Sequence, residues 1–196
     1  MAIDKVKDGK LLYHLTKLSN LDSIIKNKLL PRKIMVQKKF SFSDVADRDI
    51  ISKRQELGLD LYTPFHFHPY SSFDVAVKKT YKNQKFIYIC ISRNFAEKSE
   101  FKILPRHPLN LENCLLMDYN EGFNKIDWKT MHSKGICDDY AKQVKMAECL
   151  TDKNISVENF QCIYVKDEET KYLVEKSLKK NGIIKRPPYV DVAKWL

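Results

Sequence analysis

The segment that most constrains the fold is Phe86–Ile91, which reads FIYICI without a charged residue. An uninterrupted, β-prone apolar run of this length is typical of a strand covered on both faces. We therefore expect a central strand inside a layered domain. The apolar and aromatic runs Leu11–Leu15 and Phe160–Val165 predict two further strands.

Helical spacing of apolar residues and capping residues predict the helices. Ser19 is the expected N-cap of a helix that has Asp22 in its first turn and is closed by Pro31. Asp167 is the expected cap of a helix that runs to about Lys180. Further predictions are helices at 43–57 (stopped by Gly58), 73–81 and 126–132, short strands at 63–67 and 189–192, a loop at 104–111, and either helix or strand at 140–151.

Strands and helices mix without a regular β-α alternation, which favours an α+β fold. The 196 residues predict one domain spanning 1–196. No apolar run approaches the roughly 20 residues of a membrane-spanning helix, and the charged N-terminal residues do not resemble a signal peptide. The five cysteines, an odd and scattered set, indicate reduced thiols and a cytoplasmic protein. Glycine-rich dinucleotide and phosphate-loop patterns are absent.

The net charge of +10 is concentrated at the two ends of the chain. Residues 1–40 and 171–196 are strongly basic, whereas the middle is slightly acidic. If the ends meet in space, they form one positive face that can neutralise nucleic-acid phosphates. Ordinary solubility explains such a charge equally well.

Several residues are candidates for a functional role, and each also has an ordinary structural explanation. His14 and Thr16 share one face of a strand, where they can hold an amide or a ribose, or simply bond to backbone. Arg54 lies near a helix C-terminus, which favours a cation in any case. Glu148 stands among apolar residues, where a carboxylate needs a partner, a function or a route to solvent.

His66 and His68 alternate with Phe65 and Phe67 in a strand pattern. Two histidines at this spacing can bind a metal, but no third ligand is apparent. We therefore expect no metal site. Aromatic stacking on a ligand is the better functional interpretation, and core packing of the two phenylalanines is the simplest one.

Taken in order, six segments resemble the DarT-type ADP-ribosyltransferases, toxins that attach ADP-ribose from NAD to bases of single-stranded DNA. Tyr13-His14-Leu15-Thr16 with Asn20-Leu21 resembles the family's Y-H-I-T-x-x-x-N-L opening, and Lys145–Leu150 resembles its R-Q-A-E-F-L segment. The other matching segments are 45–54, 62–69, 126–128 and 186–195.

The resemblance implies an ADP-ribosyltransferase fold, a split β-sheet core flanked by helices, with NAD as co-substrate in the cleft and no metal. It implies that His14, Thr16 and Asn20 bind NAD. Arg54 would contact the NAD phosphates and help orient the acceptor, and Glu148 would be the catalytic glutamate at a strand start. A loop at roughly 120–142 would recognise the substrate. A macrodomain antitoxin is the implied partner, and no membrane is involved.

The chain departs from the family pattern at several places near the site, including the glutamate segment, where Lys145, Met146 and Cys149 replace Arg, Gln and Phe. His66 stands where the family has Tyr, and Tyr70-Ser71-Ser72 replaces Arg-Ser-Pro. Three alternatives stay open at this point: the same transfer to RNA, transfer to a protein, or a basic nucleic-acid-binding module without chemistry. The modified base and the oligomeric state do not follow from the sequence.

Overall fold

The structure is a computed structural model that describes residues 6–69, 71–107, 115–133 and 138–196. Within these ranges the strands are β1 (Leu11–Lys17), β2 (Thr63–His66), β3 (Phe86–Ser92), β4 (Lys102–Leu104), β5 (Met117–Asp118), β6 (Glu148–Thr151), β7 (Cys162–Val165) and β8 (Tyr189–Val192). The helices are α1 (Leu21–Asn27), α2 (Arg32–Gln37), α3 (Arg48–Glu56), α4 (Ser72–Thr80), α5 (Arg93–Lys98), α6 (Tyr119–Lys125), α7 (Trp128–His132), α8 (Asp139–Lys145) and α9 (Glu168–Lys180).

The strands form one mixed sheet in the order β5-β4-β6-β2-β1-β3-β7-β8. Neighbouring strands are antiparallel except β7 and β8. β1 pairs with β3 over seven residue pairs. Among the described residues it pairs with β2 only at Tyr13 and His66. The sheet is therefore two four-stranded halves that diverge at the β1–β2 junction. The predicted α+β fold with a split β-sheet core flanked by helices is confirmed.

Strand β3 lies in the interior of the sheet, as predicted for a run that is apolar on both faces. All six residues of Phe86–Ile91 are buried. Ile87, Ile89 and Ile91 pack in the cluster that contains residues of α1 and α9, whereas Phe86 and Tyr88 pack in a cluster that contains Val77 of α4. Helices cover both faces of the sheet, which explains why the run has no polar alternation.

The first helix differs from its predicted bounds at both ends. Ser19 lies inside a single 3-10 turn (Leu18–Asn20), and α1 begins only at Leu21 without a side-chain cap. The helix ends at Asn27, because the chain leaves it to form an antiparallel bridge between Leu29 and Ile155. Pro31 instead precedes α2. The predicted N-cap and the predicted stop are both wrong, since a long-range backbone pairing replaces the last helical turn.

The second predicted helix is shorter than the apolar spacing indicates. Helix α3 starts at Arg48, because the Asp47 carboxylate accepts the backbone N–H of Ile50 at 2.9 Å. Gly58 ends this region in the left-handed conformation (φ 69°), as predicted. The residues 41–46 before the cap have no regular secondary structure.

The ambiguous segment 140–151 contains both structures, since α8 ends at Lys145 and β6 begins at Glu148. Asp167 caps α9, and its carboxylate accepts the Thr170 backbone N–H at 2.7 Å, as predicted. Helices α2, α5 and α6 and strands β4 and β5 had no sequence prediction. The predicted loop at 104–111 starts with the last residue of β4, and its residues 108–111 lie outside the described ranges.

Helix α9 packs against α1, which brings the two basic ends of the chain together. Asp22 of α1 accepts hydrogen bonds from Ser177 and from the Asn181 amide. In the described part of the chain, Cys90, Cys149 and Cys162 are free and buried. Among the described residues, no helix is long and apolar enough to cross a membrane.

Candidate active site

A cleft opens where the two halves of the sheet diverge. Its walls come from β1, β2, the start of β6, helix α3 and the irregular segment 42–46. All five residues predicted from the sequence line this cleft: His14, Thr16, Asn20, Arg54 and Glu148. The fold therefore gathers side chains that are up to 134 positions apart in the sequence, since Glu148 faces the same space as His14.

His14 fills the gap between the diverging strands β1 and β2. Its Nδ1 lies 2.8 Å from the carbonyl oxygen of Pro64, so Nδ1 carries the proton and donates it. Burial lowers the pKa of His14, and the Pro64 carbonyl and the nearby Asp74 oppose this only in part. The ring is therefore neutral at pH 7, and Nε2 keeps a lone pair that can accept a hydrogen bond.

Asn20 ties β1 to the irregular segment across the cleft. Its amide nitrogen donates to the Thr16 hydroxyl at 3.1 Å and to the Ser43 carbonyl at 3.0 Å. The Ser43 backbone N–H returns a bond of 2.8 Å to the Asn20 amide oxygen. Both amide protons of Asn20 are thus engaged, while the Thr16 hydroxyl, as an acceptor here, keeps its own proton for a ligand.

A second contact holds the same segment from α2. The Arg32 guanidinium reaches both carboxylate oxygens of Asp44 at 3.1–3.3 Å. Both side chains are partly exposed, so this ion pair is expected to hold the segment only modestly. The Asn20 side chain is itself buried and makes two hydrogen bonds to the Ser43 backbone, so it is the stronger restraint on the position of Ser43.

On the opposite wall, Arg54 and Glu148 form an ion pair. Arg54 Nη1 lies 2.8 Å from Oε1 and 3.0 Å from Oε2 of Glu148. Their side chains are 16% and 7% exposed, so the two charges are largely removed from water. Glu148 is the first residue of β6, which is the strand start that the family resemblance implied. Arg48, six residues before Arg54, is exposed instead.

Three polar atoms on the cleft residues are buried and have no hydrogen-bond partner among the described residues: Arg54 Nη2, Thr63 Oγ1 and Asp74 Oδ1. An unsatisfied buried polar group is costly, and such groups concentrate at binding sites. Asp74 is fully buried, and its other oxygen accepts the Ser71 backbone N–H at 3.0 Å in a capping box. Together the three atoms offer a ligand at least one donor and one acceptor.

Histidines surround the ion pair more closely than the sequence indicated. His66 lies opposite Glu148 in the β2–β6 register, and His107 also lines the cleft. Burial lowers the pKa of His107, while the nearby Glu148 carboxylate raises it to a smaller extent. His107 and Asp74 were not predicted from the sequence, because neither stands in a motif and only the folded chain brings them to the cleft.

His68 does not reach into the cleft. Its ring nitrogens face the carbonyl oxygens of Pro69 at 2.8 Å and of Lys145 at 3.1 Å. The alternating Phe65 and Phe67 are buried in the core, as predicted. Within the described ranges, no group of three or more His, Cys, Asp or Glu side chains is placed to hold a metal.

The prediction of a loop at 120–142 is wrong where the segment is described, because most of it lies in α6, α7 and the start of α8. Asp127 caps α7 by accepting the Thr130 backbone N–H at 3.0 Å, and Trp128 is buried and donates to the Phe123 carbonyl. Residues 134–137 of this segment, and Tyr70 of the divergent Tyr70-Ser71-Ser72 stretch, lie outside the described residues. Ser71 is the N-cap of α4.

The family of this chain follows from its match to a known family model. Residues 13–196 match the family model described as DarT, the single-stranded DNA thymidine ADP-ribosyltransferase. The chain belongs to the DarT family. Membership confirms the predicted enzyme class, an ADP-ribosyltransferase that modifies a base of single-stranded DNA. A comparison with curated protein sequences gave no match.

Solved structures of the DarT family share the fold. Thermus sp. 2.9 DarT in complex with ADP-ribosylated ssDNA superposes with a TM-score of 0.82 at 22% identity, covering 94% of each chain. The same protein in complex with NAD+ gives a TM-score of 0.77 at 22% identity, covering 95% of this chain and 96% of that one. Thermosipho africanus DarTG in complex with ADP-ribose gives 0.71 at 18% identity, covering 93% of this chain and 50% of that one.

Proposed function

We propose that this chain transfers ADP-ribose from NAD+ to thymidine in single-stranded DNA, with Glu148 as the catalytic carboxylate. The observation that carries the proposal is the buried Arg54–Glu148 ion pair, which faces His14 and Thr16 across one cleft. The family to which the chain belongs supports thymidine as the acceptor, and a relative bound to NAD+ supports the donor.

The residues of the cleft fit a dinucleotide donor. The unpartnered Nη2 of Arg54 is a buried cationic donor, which suits a diphosphate oxygen. The free lone pair of His14 Nε2 and the free hydroxyl proton of Thr16 suit the ribose and amide groups of the nicotinamide half. Asn20 contributes by holding Ser43 in place, since both of its amide protons are already engaged.

NAD+ supplies an ADP-ribose unit whose anomeric carbon becomes electron-poor as nicotinamide leaves. The Glu148 carboxylate stabilises positive charge at that carbon, and the low exposure of the site strengthens the effect. The same carboxylate accepts the imide N–H proton of thymine, so that the ring nitrogen can form the new glycosidic bond. Arg54 holds the carboxylate in one orientation while it does so.

The positive surface charge of this protein suits the binding of single-stranded DNA. Helices α1 and α9 pack against each other, and exposed lysines of both basic chain ends lie on or next to them, including Lys26, Lys28, Lys176, Lys179 and Lys180. Such a face can follow a phosphate backbone. A base in single-stranded DNA also enters a pocket without the cost of unpairing, which is a few kcal/mol in a duplex.

As a DNA-modifying enzyme the chain would harm its host, so we propose a toxin role beside a macrodomain antitoxin that removes the ADP-ribose. The relative called DarTG, which binds ADP-ribose and is about twice the matched length, supports a second module in such systems. Because the proposed acceptor is DNA, we place the reaction in the cytoplasm.

The direct test incubates the purified chain with NAD+ and matched single-stranded DNA and RNA oligonucleotides that contain or lack thymidine or uridine. Intact-mass spectrometry then detects addition of one ADP-ribosyl group, and fragmentation locates the modified base. We expect adducts on thymidine-containing DNA only.

Other outcomes separate the alternatives. Adducts on RNA alone, or on protein when tagged NAD+ is added to a lysate, would change the acceptor but keep the enzyme class. Oligonucleotide binding without any adduct, and without heat release on titration with NAD+, would favour a binding module that has no chemistry.

A further inference from the structure

Lys28, the residue that follows α1, has a backbone conformation that glycine alone adopts readily. Its φ of 73° and ψ of 166° lie in a region where the Cβ of any other residue is crowded. Such conformations persist only where the surrounding structure imposes them, and they concentrate at functional sites. Lys28 also lines the cleft of the candidate active site.

The residues after Lys28 impose this conformation. The Leu29 backbone N–H donates to the Ile155 carbonyl at 2.8 Å, and the Ile155 N–H returns a bond of 3.0 Å to the Leu29 carbonyl. Leu29 and Leu30 are both buried, so the chain is anchored immediately after the turn. A glycine at position 28 would make the same turn without strain. The anchoring therefore explains the turn but gives no reason for a lysine there.

The charge of Lys28 differs from that of the other lysine and arginine side chains in the cleft lining, which are Arg32 and Arg54. Arg32 pairs with the Asp44 carboxylate, and Arg54 pairs with Glu148. Lys28 is exposed, and it forms no ion pair with any carboxylate of the described residues. Its ammonium group is therefore open to an anion that enters the cleft.

Lys28 also connects the cleft to the basic surface at α1 and α9. Exposed Lys26 lies two residues before it, and α9 packs against α1 with exposed lysines of its own. These are Lys176, Lys179 and Lys180. Among these lysines, Lys28 is the one that lines the cleft. A chain of phosphates that follows this surface into the cleft would pass Lys28.

We propose that Lys28 binds a backbone phosphate of single-stranded DNA where the strand enters the cleft. This inference rests on the proposed function, which places thymidine of the strand in that cleft. An ammonium group is a compact point charge with three donors, which suits a phosphate oxygen, and the contact releases a counterion from the strand. The strained backbone is tolerated because it places this charge at the entrance.

NAD+ offers a second phosphate group, its diphosphate, to the same cleft. The buried and unpartnered Nη2 of Arg54 already suits that group. Lys28 is exposed and adjoins the lysines of α1 and α9, which suits a longer polyanion. We therefore assign the DNA phosphate to Lys28, and the experiment distinguishes the two sources.

Fluorescence anisotropy measures the Kd of short labelled single strands, one that contains thymidine and one that lacks it, without NAD+ and between 50 and 200 mM salt. The variants are Lys28→Gly, Lys28→Ala and Lys28→Arg. Loss of the ammonium in the first two should raise Kd about fivefold for both strands, since a phosphate contact is independent of sequence. The slope of log K against log salt should become shallower by about 0.7. Lys28→Arg should retain the natural affinity.

The matched control is Lys39→Gly. Lys39 is also an exposed lysine with a positive φ, of 55°, but it is absent from the cleft lining. This variant removes the same charge and introduces the same glycine, so we expect the Kd and the salt slope to stay at their natural values. An equal loss of affinity in Lys39→Gly and Lys28→Gly would show a general effect of net charge and overturn the specific contact.

Thermal unfolding separates backbone strain from binding. Lys28→Gly and Lys28→Ala both lose the ammonium, but glycine alone relieves the strained φ. We expect Lys28→Gly to unfold about 3 °C above Lys28→Ala, while the two bind DNA equally weakly. A higher affinity of Lys28→Gly than of Lys28→Ala would mean that backbone geometry, and not the ammonium, determines binding.

Calorimetry with NAD+ gives the remaining outcomes. We expect Lys28→Ala to bind NAD+ as the natural chain does. Weaker binding of NAD+ with unchanged binding of DNA would overturn the assignment to the strand and favour the diphosphate. Unchanged binding of both ligands would overturn a phosphate contact altogether. A natural chain that binds the strand but forms no adduct when NAD+ is added would contradict the proposed function, whereas the Kd values test Lys28 without any transfer.

Discussion

The two walls of the cleft are built in opposite ways. On the β1 wall, the polar groups of His14, Thr16 and Asn20 bond to one another or to backbone. On the opposite wall, Arg54 and Thr63 each keep a buried polar atom without a partner among the described residues. The first wall is ordered before any ligand arrives, whereas the second keeps bonding capacity for a ligand.

The sheet explains this difference. β1 pairs with β3 over seven residues, so its wall is held by a long ladder. β2 and β6 share only four pairs, and Arg54 belongs to a short helix outside the sheet. We infer that changes on the β1 wall act mainly through geometry and binding, and that changes on the opposite wall act through chemistry. Four predictions test this contrast.

The largest effect is expected from Glu148→Gln, on the wall opposite β1. The amide keeps the shape of the side chain but neither stabilises a cation nor accepts the thymine proton, so transfer should fall about a thousandfold. The rate of adduct formation on single-stranded DNA checks this, with NAD+ binding by calorimetry as the test of folding. Glu158→Gln, an exposed position, is the matched control. A variant that retains a tenth of the rate would remove Glu148 from catalysis.

The next effect comes from Arg54→Lys. Lysine keeps the charge but lacks the planar fork that reaches Glu148 through Nη1 and offers Nη2 to a ligand. We expect kcat/KM to fall about a hundredfold, measured as initial rates over a range of NAD+ concentrations. Arg48→Lys on the exposed side of the same helix serves for comparison. Equal effects of the two substitutions would contradict a specific role for Arg54.

On the β1 wall, Asn20→Ala should weaken the binding of NAD+. Loss of the amide frees Ser43 and the segment that follows it, so the KM for NAD+ should rise about tenfold while kcat falls less. Steady-state kinetics separate the two constants. Asn27→Ala is the control, since Asn27 bonds only weakly to Ser23 at 3.3 Å. A loss confined to kcat would place Asn20 in the chemical step instead.

The smallest effect concerns stability and pH. Burial lowers the pKa of His14 in the folded state, so the unfolded chain binds more protons as the pH falls below the usual histidine value near 6.5. The free energy of unfolding should therefore be highest above that pH and decrease on acidification. Urea unfolding at pH 7.5 and pH 5.5 should show a smaller decrease for His14→Gln than for the natural chain. Identical decreases would mean that His14 does not contribute.

Much of the fold follows from local sequence. The run Phe86–Ile91 identifies an interior strand, and Asp167 identifies the start of α9, because apolar covering and capping act over a few residues. Local rules fail where a segment that is distant in the sequence pairs with the same residues. The expected end of the first helix is wrong because Leu29 pairs with Ile155, and β4 escapes notice because a three-residue strand has almost no pattern.

The residues of the site divide in the same way, into those that motifs predict and those that they do not. Motif order predicted His14, Arg54 and Glu148 as site residues, and the structure places them in one cleft. Asp74 and His107 belong to no motif, so their positions beside that cleft could not be predicted. The sequence also gives no sign that both amide protons of Asn20 are engaged.

The sequence by itself predicted which side chains carry the chemistry and determined which strand lies in the interior, since residue type and spacing set charge, reactivity and covering. Only the tertiary structure decided that the sheet divides at Tyr13 and His66, that Glu148 meets Arg54 within the divide, and that His66 lies beside the carboxylate. Strand register is a long-range property, because a shift of one residue in β2 would turn His66 away from Glu148 and toward the opposite face of the sheet.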